Sequence, residues 1–215
     1  MPLYTADALV LRTYQLGEAD RIVVFLTRDR GKKRGVAPNA RRSRKRFGGA
    51  LEPLTEVRVA YFEKERRELV GLNYAETVRS PMAAGPESIG YSHYFAELID
   101  LWAAEADVDE RLFRLGTSVL DAMTAGTPIE ALARYFECWL LRLQGVYPPD
   151  LGLSRGAEAF VEQSRLAPPR EAGAIEATPA VLRELERKHQ AVIATYLDRS
   201  PRSIKVLNDL RLHRP

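Results

Sequence analysis

Arg21-Ile22-Val23-Val24-Phe25-Leu26-Thr27 holds the longest unbroken apolar run of the chain, Ile22 to Leu26. Five apolar residues rich in β-branched types have the length of a strand and fall well short of a helix. On the N-terminal side, Ala6–Gln15 is rich in Val, Leu, Thr and Tyr and reads as a second strand. Leu16-Gly17-Glu18-Ala19 turns the chain between the two. On the C-terminal side, Arg30-Gly31 punctuates and Lys32–Pro38 predicts another strand. Leu54, Val57, Val59 and Tyr61 then alternate with Thr55, Arg58 and Ala60, as a strand with one inward face does. The charged stretch Glu63–Glu68 reads as a turn, and Leu69–Val78 as a fifth strand. Five short strands in the first 80 residues predict a small closed or partly open barrel, the architecture of OB-folds.

The period changes after Pro81. Tyr91, Tyr94, Phe95, Leu98, Ile99 and Trp102 share one helical face, and Val108, Leu112, Leu115, Val119 and Met123 repeat the pattern. Thr127 and Pro128 read as the cap and first turn of a third helix. Its stripe is Ile129, Leu132, Tyr135, Phe136, Trp139, Leu140 and Leu143, stopped by Gly145 and Pro148-Pro149. Residues 150–177 read as an irregular connection with room for one short helix. Thr178-Pro179 opens another helix with Leu182, Leu185, His189, Val192, Ile193 and Tyr196 on its core face, and Ser203–Leu212 adds a last short one. The expected fold is therefore α+β: a five-stranded OB-fold barrel over 1–80, then an all-helical domain over 81–215.

The 215 residues are 46% hydrophobic and 28% charged, an ordinary globular balance. No apolar segment is long enough to cross a bilayer, and no basic start leads into an apolar stretch, so neither a membrane protein nor an exported one is expected. One cysteine, Cys138, and three scattered histidines leave no set of metal ligands; a reducing cytoplasm and no cofactor are expected. Cys138 and His189, each on a strong helix, read as core residues. Nucleophile elbow, phosphate-binding glycine loop and HExxH zinc signature are all missing, and an enzyme is not expected.

Charge is distributed unevenly. Residues 1–80 hold 17 Lys and Arg against 10 Asp and Glu, whereas 81–215 hold 15 against 19. The densest segment contains Arg28, Arg30, Lys32, Lys33, Arg34, Arg41, Arg42, Arg44, Lys45 and Arg46, with Asp29 as its one acid. Like charges repel in a compact domain, whereas a phosphate backbone neutralises them and releases its counterions. This pattern predicts a nucleic-acid surface, with Phe47, directly after the run, read either as a platform for stacking a base or as a buried loop anchor. Contact with about five phosphates predicts a log–log salt slope of about −3.5 on a single strand. Charge alone does not separate DNA from RNA, so a structural RNA-binding protein such as a ribosome-assembly factor is the alternative.

A family resemblance favours DNA. Ala8-Leu9-Val10-Leu11-Arg12, Gly17-Glu18-Ala19-Asp20-Arg21-Ile22-Val23, Phe25-Leu26-Thr27 and Gly31 occur in the order of the RecO family of recombination mediators. The next block, Val36-Ala37-Pro38-Asn39-Ala40-Arg41-Arg42-Ser43 followed by Phe47-Gly48-Gly49-Ala50-Leu51-Glu52-Pro53-Leu54, resembles that family too. So do Ala133-Arg134-Tyr135-Phe136-Glu137, Gly145-Val146-Tyr147-Pro148 and Arg202-Ser203-Ile204-Lys205-Val206-Leu207. The resemblance implies a cytoplasmic, nucleoid-associated DNA-repair protein that binds single- and double-stranded DNA and anneals complementary strands. It also implies partnership with RecR, capture of the acidic C-terminal tail of single-stranded-DNA-binding protein, and help in loading RecA. By that analogy the basic loop residues are DNA ligands, and Arg134 and Arg142 are the candidates to receive the tail. Two departures stand out: 150–177 lacks the four-cysteine zinc module of many relatives, and Pro38-Asn39 replaces the family's Lys-Gly.

Overall fold

The computed structural model describes residues 2–63 and 68–212; for Arg44, Glu87 and residues 210–212 only the backbone is described. The middle of the charged turn after Phe62 and the C-terminal His213 therefore lie outside the described residues. Five strands, β1 (Leu3–Leu16), β2 (Asp20–Thr27), β3 (Gly31–Ala37), β4 (Glu56–Phe62) and β5 (Val70–Arg79), close into a barrel in the order β1-β2-β3-β5-β4. Neighbours are antiparallel except β3 and β5, which run parallel and meet at Gly35–Val70 and Val36–Gly71.

The unbroken run in β2 has a direct physical reason. Val23 and Phe25 point into the barrel with Ala8, Val10, Val57, Val59 and Tyr61. Val24 and Leu26 point the other way, with Leu9 and Leu11 of β1, and join the core of the helical half. Both faces of these strands are dry, so the usual alternation of apolar and polar residues is lost.

Helices follow in chain order: the single turn α1 (Arg44–Phe47), α2 (Glu87–Trp102), α3 (Glu110–Thr124), α4 (Ile129–Leu143), α5 (Arg155–Leu166), α6 (Pro179–Leu197) and α7 (Arg202–Leu212). Tyr94, Phe95, Leu98 and Ile99 of α2, Leu112 and Val119 of α3 and Leu132 and Phe136 of α4 form one cluster with the outer residues of β1 and β2. The change of period at residue 81 is thus a change of secondary structure inside one packed body. No helix among the described residues is long and apolar enough to cross a membrane.

One local reading is made specific and one is corrected. Residues 150–177 carry the twelve-residue α5 and a 3-10 turn, Pro169–Ala174. Ala157, Phe160, Val161 and Ser164 form its buried face, and the three apolar ones pack with Ala131, Cys138, Ile175 and Leu185. Surrounding Gly, Ala and charged residues hide that face in the sequence. Thr127 does not cap α4, because Pro128 takes the cap position and the Thr127 hydroxyl donates to the Arg170 carbonyl.

Asp121 of α3 fastens three elements, accepting from Arg170 Nε and pairing with Arg79 NH1 of β5 at 3.0 Å. The Arg170 hydrogen bond, with Arg79 beside it, outweighs partial burial and holds the carboxyl below the ordinary aspartate value of 3.8. A depressed carboxyl contributes stability above its unfolded pKa, and that contribution fades as pH falls through the folded one. Asp121→Asn therefore lowers the urea midpoint at pH 7, and the gap to the parent protein closes below roughly pH 4. A gap that stays constant down to pH 3 argues against this pair.

Candidate nucleic-acid interface

A run contiguous in sequence is divided in space by β3, whose six steps span about 20 Å. Arg28 and Arg30 stand at the β2–β3 turn, and 41–46 lie beyond the opposite end of the strand. At the first end, Arg28 NH2 lies 3.0 Å from Glu110 of α3, and the Arg30 guanidinium covers the Tyr4 ring at 4.3 Å. Along β3 the charges are paired. Lys32 Nζ donates to the Asp100 carbonyl at 2.7 Å and contacts its carboxylate at 3.3 Å. Lys33 meets Glu63 at 2.9 Å, and Arg34 approaches Glu105 at 3.9 Å. The Lys32 side chain is 12% exposed. Lys32 and Lys33 are thus corrected from phosphate ligands to intramolecular pairs. Arg28 and Arg34 keep solvent-facing guanidinium groups, but each already has a carboxylate of the helical half beside it.

This pairing has a consequence for the barrel. Small OB barrels commonly receive oligonucleotides on the face of strands 2 and 3. Here Val24 and Leu26 on the outer face of β2 are buried in the core of the helical half, and Lys32 and Arg34 of β3 lie against Asp100 and Glu105. The helical half covers that face.

The open cations lie instead at the barrel end where β3 leads toward β4. Asn39 adopts a left-handed backbone (φ +57°), and its carbonyl accepts from the amides of both Arg42 and Ser43, a tight turn. The turn is seated on the β1–β2 hairpin: Asn39 N donates to Asp20 Oδ1 at 2.8 Å, and Arg41 N to the Ala19 carbonyl at 3.1 Å. Arg41 also donates from its guanidinium to the Glu18 carbonyl at 3.1 Å. Arg41, Arg42 and Lys45 remain exposed, with no acidic partner among the described residues. The Arg44 side chain lies outside the described residues.

Phe47 is not a stacking platform. It is 3% exposed and belongs to the barrel core with Ala50, Leu51, Val10 and Phe25. The short turn 44–47 ends by driving this ring into the barrel, and the Arg46 guanidinium stacks over it at 4.8 Å. Arg46 donates to backbone carbonyls and is half-buried.

Arg134 is likewise corrected. It is 2% exposed inside the helical half, where no peptide tail reaches it. NH2 donates to Glu137 Oε1 at 2.8 Å and NH1 lies 3.3 Å from Glu186. Glu137, wholly buried, also accepts from Tyr94 OH at 2.8 Å and lies 3.1 Å from His189 Nδ1. Burial, then the Glu137 charge, push the Tyr94 hydroxyl well above its ordinary value. The i,i+3 spacing of Arg134 and Glu137, one turn apart amid an apolar stripe, is the signal that marks them as a buried pair. Arg142 does reach a cleft of about 590 Å³, lined also by Tyr147, Leu151, Leu153 and Val161. Its guanidinium stacks on Tyr147 at 4.7 Å, and Asp150, Glu158 and Glu162 line the same cleft. One arginine among three carboxylates is a poor receiver for an acidic tail. Cys138 is buried, and burial pushes its thiol above the ordinary value, which disfavours the thiolate.

Residues 1–81 match the family model for the recombination protein O N terminus, and residues 85–150 that for its C terminus. The DNA repair protein RecO of Koribacter versatilis is 43% identical over 152 residues, 69% of this chain and 61% of that protein. Its counterpart in Anaeromyxobacter sp. (strain K) is 39% identical over 142 residues, 65% and 56% respectively. The one in Geobacter metallireducens is 36% identical over 141 residues, 65% and 57%. The matches thus span about three fifths of the length of these curated relatives.

Proposed function

The chain belongs to the RecO family, and from that premise we propose that it works in DNA repair as a strand-binding mediator with no chemical active site. The observation that carries this reading is the pairing of both family regions with three uncompensated cations, Arg41, Arg42 and Lys45, on a turn fixed to the barrel end. Such a turn grips sugar-phosphate backbone with little sequence preference, because backbone contacts position a strand without reading its bases. Holding one strand with its bases free while screening its repulsion from a second is what annealing needs. Partnership with RecR, with single-stranded-DNA-binding protein and with RecA loading in the cytoplasm belongs to the same proposal. Tail capture is not assigned to Arg134 or Arg142.

With Lys32, Lys33, Arg28 and Arg34 compensated within the molecule, about three phosphates are neutralised, and the log–log salt slope on single-stranded DNA is about −2. Arg41→Glu, Arg42→Glu and Lys45→Glu together weaken strand binding by about a hundredfold or more, while circular dichroism and melting stay as in the parent. Fluorescence anisotropy across a salt series measures both effects. Unchanged affinity in the triple variant removes the turn from the mechanism. Annealing of strands precoated with single-stranded-DNA-binding protein, dependent on that protein's tail, supports the mediator role. A clear preference for RNA in competition supports the ribosome-assembly alternative.

A further inference from the structure

The barrel has a weak seam. β3 and β5 share two residue pairs, Gly35–Val70 and Val36–Gly71, after which the two strands part. β3 ends at Ala37, and Pro38 has no amide to donate. β5 continues through Leu72 and Asn73, and Asn73 is the extra residue of an irregularity in its pairing with β4, where Ala60 faces Tyr74 and Tyr61 faces Leu72. Carbonyls at such a parting have lost their strand donors and take others, from water or from a side chain.

Arg46 supplies them. Its Nε donates to the Asn73 carbonyl at 2.6 Å, NH2 to the Leu72 carbonyl at 3.2 Å and NH1 to the Pro38 carbonyl at 3.4 Å. One guanidinium thus spans both sides of the seam just past its last strand pair. The ring of Phe47 beneath it is locked in the barrel core, which fixes the approach of the side chain. The segment held between Pro38 and Arg46 is the turn that presents Arg41, Arg42 and Lys45.

We propose that Arg46 is a positioning residue for nucleic-acid binding: it rivets the β3–β5 seam and holds the cationic turn, and it does not itself contact phosphate. This rests on the strand-binding role proposed above for the turn. A planar fork with several donors is required, which lysine lacks despite carrying the same charge. Arg46 is moreover committed to backbone acceptors through all three nitrogens.

The test compares Arg46→Lys and Arg46→Met, each alone and in an Arg41→Gln, Arg42→Gln, Lys45→Gln background, by anisotropy with a fluorescent single-stranded oligonucleotide. Both single variants are expected to bind about tenfold more weakly than the parent, and by less than about twofold in the triple background, because the residue acts through the other three. Lysine retaining parental affinity, or methionine costing the same in both backgrounds, overturns the proposal in favour of a direct phosphate contact. In the unaltered protein, the Arg46 Nε–H signal in nitrogen-15 spectra is expected to be protected from solvent exchange and to stay in place as the oligonucleotide is added. Exchange at the rate of a free arginine overturns the proposal even where the variants do not fold. That measurement and amide exchange at 39–43 do not depend on DNA affinity. If the triple background binds DNA like the parent while Arg46 stays protected, the proposed function fails and the rivet stands.

Discussion

Arg134→Ala lowers the stability of the folded chain by about 3–5 kcal/mol and its melting temperature by roughly 10 °C. The reason is the company the side chain leaves behind. Glu137 is wholly buried and holds three partners, of which Arg134 supplies the full positive charge at 2.8 Å. Removing that charge strands a carboxylate in the core with only a tyrosine hydroxyl and an imidazole to answer it. Glu186 loses its contact with the Arg134 guanidinium as well. Taking two ions out of water is expensive even when they meet, so the intact pair contributes little by itself; the cost comes from breaking it. A second variant separates these statements. Arg134→Met combined with Glu137→Leu is expected to be more stable than Arg134→Met alone, since no uncompensated carboxylate at position 137 remains. Thermal melts of the three variants measure this, and a double variant less stable than the single one rejects the account. Any loss of protein-partner binding in Arg134→Ala is expected to track the unfolded fraction, because the residue presents no surface to a partner.

How far the sequence can be read is visible in particular residues. Barrel and helices were legible because their patterns are local: Ile22–Leu26 announces a strand, and Tyr94, Phe95, Leu98 and Ile99 announce a helix face that is in fact buried. The placement of the cations was not local. Lys32 meets an acid 68 positions away and Arg28 one 82 positions away, and nothing in the composition of either neighbourhood pairs them. Density along the chain is a poor guide to density on the surface when a strand intervenes, since successive side chains leave on opposite faces and the ends are carried about 20 Å apart. Phe47 is ambiguous in the sequence for a related reason. An aromatic residue beside a basic run fits a stacking role by composition, whereas a barrel end also needs an apolar plug, and that need is seen only when the strands are closed. Within the run, the exposed remainder at Arg41, Arg42 and Lys45 is what the fold leaves to an anionic partner.

The contact that covers the strand face should be the least forgiving point of the molecule outside that buried network. Gly31 opens β3 at φ +66°, and a Cβ there would stand within 2.7 Å of the Asp107 backbone N and C. The next residue accepts from Ala106 N at 3.1 Å, and Lys32 forms a bridge with Glu105. Ala106 itself sits at φ +58°, a conformation that alanine keeps only where its surroundings dictate it. Gly31→Ala therefore incurs two costs, the left-handed backbone and the displacement of the 105–107 segment. Gly17 isolates the first, because it has φ +58° and nothing within 4 Å of its Cβ position. Gly17→Ala is expected to lose about 1 kcal/mol, and Gly31→Ala about 3 kcal/mol or more, both read from urea unfolding. Strand binding by Gly31→Ala, measured well below its melting point, is expected to stay near the parental value, since Arg41, Arg42 and Lys45 lie at the opposite end of β3. Equal losses in the two glycine variants would mean that the helical half does not press on β3 as described, and the covered strand face would then have to be counted again as a surface open to DNA.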